Sequence, residues 1–215
     1  MPRWGDRRRV RVGLLGGSFN PAHAGHRHVA AVALRRLRLH QVWLMVSPGN
    51  PLKPSRGMAP FPDRMASAQG IAGGRVVATG IEARLGTRWT YDTLRALRVR
   101  FPRIRFVWVM GADNLVQLPR WQHWMGIART MPMAVMPRPT YNHRALAGQA
   151  AQRLRPALLP SRSAPALAGR APAWTFLPAR QNPMSATALR AGVPWPALQP
   201  EVHLPKQPAI TTAST

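Results

Sequence analysis

The chain has 215 residues, no cysteine and a formal net charge of +25, with 31 Lys and Arg set against six Asp and Glu and an isoelectric point near 12.0. That length supports one α/β domain with a substantial core. No run of about 18 apolar residues exists, which excludes a membrane-spanning helix, and the missing cysteines exclude disulfides, thiol catalysis and thiolate metal sites and fit a reducing, cytoplasmic setting.

In chain order, residues 1–9 form a basic extension without a cleavage-like site, so no export signal is expected. Residues 10–15 (Val-Arg-Val-Gly-Leu-Leu) read as a buried strand, after which Gly16 and Gly17 permit a sharp turn. Asn20 is the expected cap and Pro21 the expected first residue of a helix over 22–37. Its apolar face carries Val29, Val32, Ala33 and Leu37, with Arg35, Arg36 and Arg38 elsewhere. Further apolar strands are expected over 42–46, 75–79, 106–110, 133–136 and 174–177, with helices between them that include 90–100 and 141–155. This alternation predicts an α/β, Rossmann-like doubly wound parallel sheet with helices on both faces, in a single domain over 10–204. The Pro- and Ser-rich stretch 156–172 reads as a mobile connection and 205–215 as a disordered tail. Ligands of such sheets bind at the carboxyl ends of the strands, where both Gly16 and Gly111 fall.

The stretch Gly16-Gly17-Ser18-Phe19-Asn20-Pro21-Ala22-His23-Ala24-Gly25-His26 reads as a phosphate site. His23 and His26, three residues apart, share one face of the first helical turns, where unpaired N–H groups and the helix dipole favour an anion, and Gly25 leaves room for it. Two histidines at this spacing are also a metal-ligand pattern, but with no Cys and six acids in the chain, completing such a site is difficult. The turn follows neither G-x-x-x-x-G-K-[ST] nor G-x-G-x-x-G.

These residues resemble the G-x-F-x-P-x-H-x-G-H signature of the nucleotidyltransferase superfamily, and later blocks extend the resemblance in the same order. Pro51-Leu52-Lys53 is similar to the family's basic loop, Trp89-Thr90-Tyr91-Asp92-Thr93-Leu94 to its Y/W-T-x-x-T-L segment, and Gly111-Ala112-Asp113-Asn114 with Trp121 to its G-x-D…W segment. Ser185-Ala186-Thr187-Ala188-Leu189-Arg190 is similar to its closing S-S/A-T-x-x-R motif. Within the superfamily the chain most resembles the bacterial nicotinate-nucleotide adenylyltransferases. The resemblance implies adenylyl transfer from ATP to nicotinate mononucleotide, in NAD biosynthesis, with release of pyrophosphate.

In that reaction the attacking phosphate is already ionised, so alignment and charge cancellation matter more than a general base. Gly16, Gly17, Ser18 and Phe19 would form the phosphate turn, and His23 and His26 would meet the α-phosphate and its transition state. Ser185 and Thr187 would hold the β- and γ-phosphates together with Arg190, which joins the two histidines in the catalytic set, and Lys53 would reach the triphosphate. Thr90 would offer backbone N–H groups to the nicotinate carboxylate, Gly111 and Asp113 would contact the nucleotide, with the Asp113 carboxylate on a sugar hydroxyl, and Trp121 would stack on the ring. Mg²⁺ would arrive with ATP, needing few protein ligands, and no tightly bound organic cofactor is implied. Ala186 stands where many relatives have Ser, and His203 where Tyr is common. The loop 49–56 is expected to close over substrate.

Two other readings are open from the residues. Nicotinamide mononucleotide is the alternative acceptor; phosphopantetheine is disfavoured because those enzymes typically carry Thr at the place of His23. A basic nucleic-acid-binding protein on the same fold is the alternative from another class. Of the 31 basic residues only Lys53 and Lys206 are Lys, and the arginines are scattered along the sequence, so polyanion binding reads as a non-specific, salt-dependent side effect. One sequence leaves the oligomeric state open.

Overall fold

The computed structural model describes residues 10–49 and 57–180. In chain order the elements are β1 (Arg11–Gly17), α1 (Ala24–Arg36), β2 (Gln41–Val46), α2 (Phe61–Ile71), β3 (Val76–Thr79), α3 (Ile81–Leu85), α4 (Thr90–Arg100), β4 (Arg105–Gly111), α5 (Ala112–Gln117), α6 (Trp124–Thr130), β5 (Met133–Met136), α7 (Asn142–Leu146), α8 (Gln149–Arg153) and β6 (Trp174–Phe176). The strands form one parallel sheet in the order β3-β2-β1-β4-β5-β6. The chain winds outward from β1 in one direction and from β4 in the other, so the crevice at the switch point opens between the carboxyl ends of β1 and β4.

Both faces of the sheet are covered, which is why the strands are apolar runs and not alternating ones. Val12, Leu14, Trp43 and Trp108 pack with Leu94 and Leu97 of α4, Phe101 just after it and Leu115 of α5 on one face. Leu15, Val42, Leu44 and Val109 pack with Ala30 and Ala33 of α1, Ala68 of α2 and Leu167 on the other. The rings of Trp43, Phe101 and Phe106 meet edge to face at 5.7 to 6.2 Å, wedging α4 against the sheet.

Four expectations are corrected. β1 runs through Gly17 instead of ending at residue 15, because both glycines continue the ladder to β2, Gly16 beside Met45 and Gly17 beside Val46. The first helix starts at Ala24 with His23 as its cap, so Asn20 does not cap it and Pro21 is not its first residue. The Asn20 side chain instead donates to Gly57 O (3.0 Å) and accepts from Ala59 N (3.2 Å), tying the turn to the chain just before α2. The helix expected over 141–155 is two short helices: at Gly148 the backbone turns extended, and a Cβ there would lie 2.8 Å from Arg144 O. Lastly, the stretch 156–172 is tied down. It carries two 3-10 turns (Arg155–Ala157, Ser161–Ala166), buries Ala164 and Leu167, and is bound to β6 through Leu159 N to Trp174 O (2.8 Å) and Thr175 Oγ1 to Leu159 O (2.9 Å). Proline and serine there shape 3-10 turns instead of loosening the chain.

The glycine requirement is strict at Gly16, where a Cβ would sit 2.5 Å from the rigid Trp108 ring. Replacing Gly16 by Ala is expected to cost about 1–3 kcal/mol through overpacking, whereas Gly70→Ala, in an exposed turn of α2 with open space around it, is expected to stabilise by about 0.5–1 kcal/mol. Chemical denaturation of the two variants beside wild type checks the contrast, and equal midpoints would contradict it.

Candidate active site

The turn after β1 brings the signature residues together at the switch point. Gly17 O accepts from Ser47 N (3.0 Å), Phe19 sits buried with a left-handed backbone (φ 49°), and its ring packs against His26 at 4.9 Å between centroids. The Asn20–Pro21 peptide is cis. Ala22 N then donates to Ser67 Oγ (2.9 Å), which sets the turn on α2.

The two histidines cap the helix reciprocally. His23, extended at φ −151° and ψ 171°, accepts from Gly25 N through Nδ1 (3.1 Å), and His26 Nδ1 accepts from His23 N (3.2 Å). This is the capping box usually built from Ser or Thr and Glu, made here from two imidazoles. Its chemical consequence is a fixed tautomer: with Nδ1 committed as acceptor, the proton of each neutral ring resides on Nε2. His23 Nε2 is buried without a partner among the described residues, a donor held ready for a ligand.

Burial and charge keep both rings neutral. Burial first, then the Arg138 guanidinium, lowers the His23 pKa from 6.5 to about 4. His26 is lowered to about 3 by burial, then by His23, whose ring centroid is 4.0 Å away, and by Arg138. Arg138, two residues past β5, therefore faces the histidine pair, and its Nε lies 3.7 Å from Asp113 Oδ1. Gly25, His28, Val29, Met136 and Arg138 line a concavity. Arg138 was not singled out from the sequence; its signal is the Pro-Arg-Pro step at the carboxyl end of a strand.

Asp113 lies in the first turn of α5, directly after Gly111, where any side chain would collide with its carboxylate. Thr90 is the first residue of α4 and Trp121 follows the 3-10 turn Leu118–Arg120. The fold joins these two segments: the Tyr91 ring packs on His123 at 5.2 Å between centroids and fills the space left by Gly126. Behind Thr90 lies a buried polar network that sequence reading missed. The Thr93 hydroxyl is 3.0 Å from Glu82 Oε1, 3.2 Å from Trp89 O and 2.7 Å from the Thr87 hydroxyl. Burial raises the Glu82 pKa, and hydrogen bonds from Ser47 and Thr93 oppose that rise. Thr93 stands three residues after Thr90 in the sequence motif, whereas its partner Glu82 lies 11 residues before it, outside that motif. Lys53, Ser185, Thr187 and Arg190 lie outside the described residues. Among the described residues, no three of His, Asp and Glu are grouped to hold a metal ion, and no helix is long and apolar enough to cross a membrane.

A parallel sheet with its glycine turn at the switch point and two neutral imidazoles at the following helix start makes this a protein of the doubly wound α/β class. The chain belongs to the cytidylyltransferase-like family, which it matches over residues 14–192. It is 60% identical over 190 residues to a probable nicotinate-nucleotide adenylyltransferase of Gluconacetobacter diazotrophicus, a match covering 87% of this chain and 88% of that protein. It is 62% identical over 183 residues to a protein of the same description from Gluconobacter oxydans, covering 84% and 94%. The Plasmodium falciparum nicotinic acid mononucleotide adenylyltransferase complexed with NaAD shares the fold, with a TM-score of 0.64 at 15% identity over 85% of this chain and 83% of that one.

The depressed histidine pKa values make stability depend on pH. In the unfolded chain these rings protonate near their ordinary 6.5, whereas in the folded protein they resist down to about 4 and about 3. The unfolded state thus binds more protons, and stability is expected to fall as pH drops from about 6.5 towards about 4. Thermal melts of wild type and His23→Asn across this range check it, since Asn keeps a cap without a titrating ring; the variant is expected to show the shallower slope. Imidazole ¹⁵N spectra near pH 5 should show the His23 and His26 rings neutral.

Proposed function

We propose that this protein transfers the adenylyl group of ATP to nicotinate mononucleotide, giving nicotinate adenine dinucleotide and pyrophosphate. The observation that carries the reading is the pair of Nε2–H donors fixed by reciprocal capping at the helix that follows the phosphate turn. The names of the two relatives at 60% and 62% identity supply the acceptor.

A phosphate oxygen of the mononucleotide attacks the α-phosphorus in line, the bond from that phosphorus to the bridging oxygen breaks, and pyrophosphate leaves with the bond's electrons. No covalent intermediate with the protein forms. His23 and His26 donate to the α-phosphate oxygens on which charge accumulates, and because the rings enter neutral, they act as oriented dipoles that need not lose a proton to bind. A bound triphosphate attracts protons to these rings, so binding of ATP draws the histidine pKa values upward. Gly16, Gly17, Ser18 and Phe19 shape the backbone of the phosphate turn. Lys53, Ser185, Thr187 and Arg190 take the β- and γ-phosphates, as the resemblance implies. On the acceptor side, α4 begins at Thr90, whose backbone N–H is a free helix-start donor for the nicotinate carboxylate. Gly111 admits the nucleotide close to the backbone, Asp113 takes a sugar hydroxyl and Trp121 supplies a flat face for the ring. Mg²⁺ enters on the ATP phosphates as part of the substrate.

Pyrophosphate release from ATP and Mg²⁺ tests the reading with nicotinate mononucleotide, nicotinamide mononucleotide or no acceptor. Release is expected to depend on the nicotinate compound and to fall by about 10²–10³-fold in His26→Ala and in His23→Ala, the loss typical of one preorganised donor. Faster turnover of nicotinamide mononucleotide would overturn the acceptor. No release with either acceptor, from protein that binds duplex DNA, would favour the nucleic-acid-binding alternative.

A further inference from the structure

Arg64 is a buried cation that the reaction as described does not use. It lies in the first turn of α2, is 3% exposed, and among the described residues its hydrogen-bond partners are backbone carbonyls. Nε donates to Ala59 O (2.9 Å), Nη1 to Ser18 O (2.9 Å) and Ser47 O (2.6 Å), and Nη2 to Pro48 O (3.0 Å). These carbonyls belong to three separate segments: the phosphate turn, the exit of β2 and the residues just before α2. The Phe61 ring stacks near the guanidinium at 5.6 Å. Desolvating a guanidinium is costly and here lowers its pKa, so the carbonyl dipoles must supply what water would have supplied.

A planar fork with five donors fixes both distance and orientation, which a flexible ammonium cannot do. Because a trans peptide is planar with its C=O and N–H opposed, anchoring Ser18 O on Arg64 aims the N–H of Phe19 the other way, out of the turn. The same grip on Ser47 and Pro48 holds the strand exit that receives Gly17 O on Ser47 N. Asn20 adds a second tie between the turn and Gly57 and Ala59.

We propose that Arg64, with Asn20 as a second tie, is a positioning residue for the nucleotide triphosphate: it sets the peptides of the phosphate turn against the exit of β2 without touching the substrate. This rests on the reading of the turn as the ATP phosphate site. The consequence is selective, because α4 and the turn at Trp121 are not among the segments Arg64 binds, so acceptor binding stays intact.

Arg64→Lys and Asn20→Ala in the full chain test this, with separate titrations of a non-hydrolysable ATP analogue and of nicotinate mononucleotide, alongside kcat per folded protein. Arg64→Lys is expected to weaken analogue binding and lower kcat by about 10- to 100-fold, the scale of a misplacement near 1 Å, while mononucleotide affinity stays within about twofold of wild type. Asn20→Ala is expected to show the same split more weakly, and it reads the tie should Arg64→Lys fail to fold. Analogue affinity within twofold of wild type in Arg64→Lys, or in Asn20→Ala should only that variant fold, overturns the proposal, whichever acceptor the enzyme turns over. Equal losses for both ligands also overturn it, since a merely structural role weakens both sites together.

Discussion

The structure depends on how the two histidine Nδ1 atoms are used. Each accepts a backbone N–H at the start of α1, and that commitment ends the turn, starts the helix and leaves each proton on Nε2. A capping box of Ser and Glu would close the helix equally well but would leave no N–H donor directed away from it. Under the proposed function, the groups that satisfy the helix terminus are also the groups that meet the ligand, so local folding and chemistry become a single constraint. Burial then keeps the rings from charging.

Around this pair, the sheet topology fixes what can approach. The crevice between β1 and β4 receives the phosphate turn from one side and Asp113 from the other, and Arg138 arrives from β5, one strand further on. Arg138 opposes protonation of the histidines while adding positive charge of its own beside them. Asp113, at 3.7 Å, partly balances it and holds its direction. The acceptor side is built separately, from α4 and the Trp121 turn, and is stiffened by the Glu82, Thr87 and Thr93 network and by Tyr91 against His123.

The net charge takes a different meaning once the chain is folded. Two buried titratable side chains do structural work inside the fold: Arg64 holds three backbone segments, and Glu82 holds the start of α4. Neither is balanced by a neighbouring opposite charge in these bonds; each is satisfied by carbonyl or hydroxyl dipoles, the arrangement that makes a buried charge tolerable.

Sequence by itself determined the strands, the doubly wound class and the histidine signature, because these rest on local patterns: apolar runs, glycine spacing and residues three apart on a helix. It also located Thr90 at the start of a helix and Asp113 just past a strand, where the structure finds them. The cap was misassigned to Asn20 because Asn and Pro fit a helix start statistically, while the hydrogen bonds that claim Asn20 come from residues 57 and 59, about 37 positions away. Arg64 and Glu82 carried no local signal, and Arg138 carried only its place in a Pro-Arg-Pro step after a strand. Their roles arise from segments brought together across the sheet, and only tertiary structure decides which of many arginines is buried among carbonyls and which faces a pair of histidines.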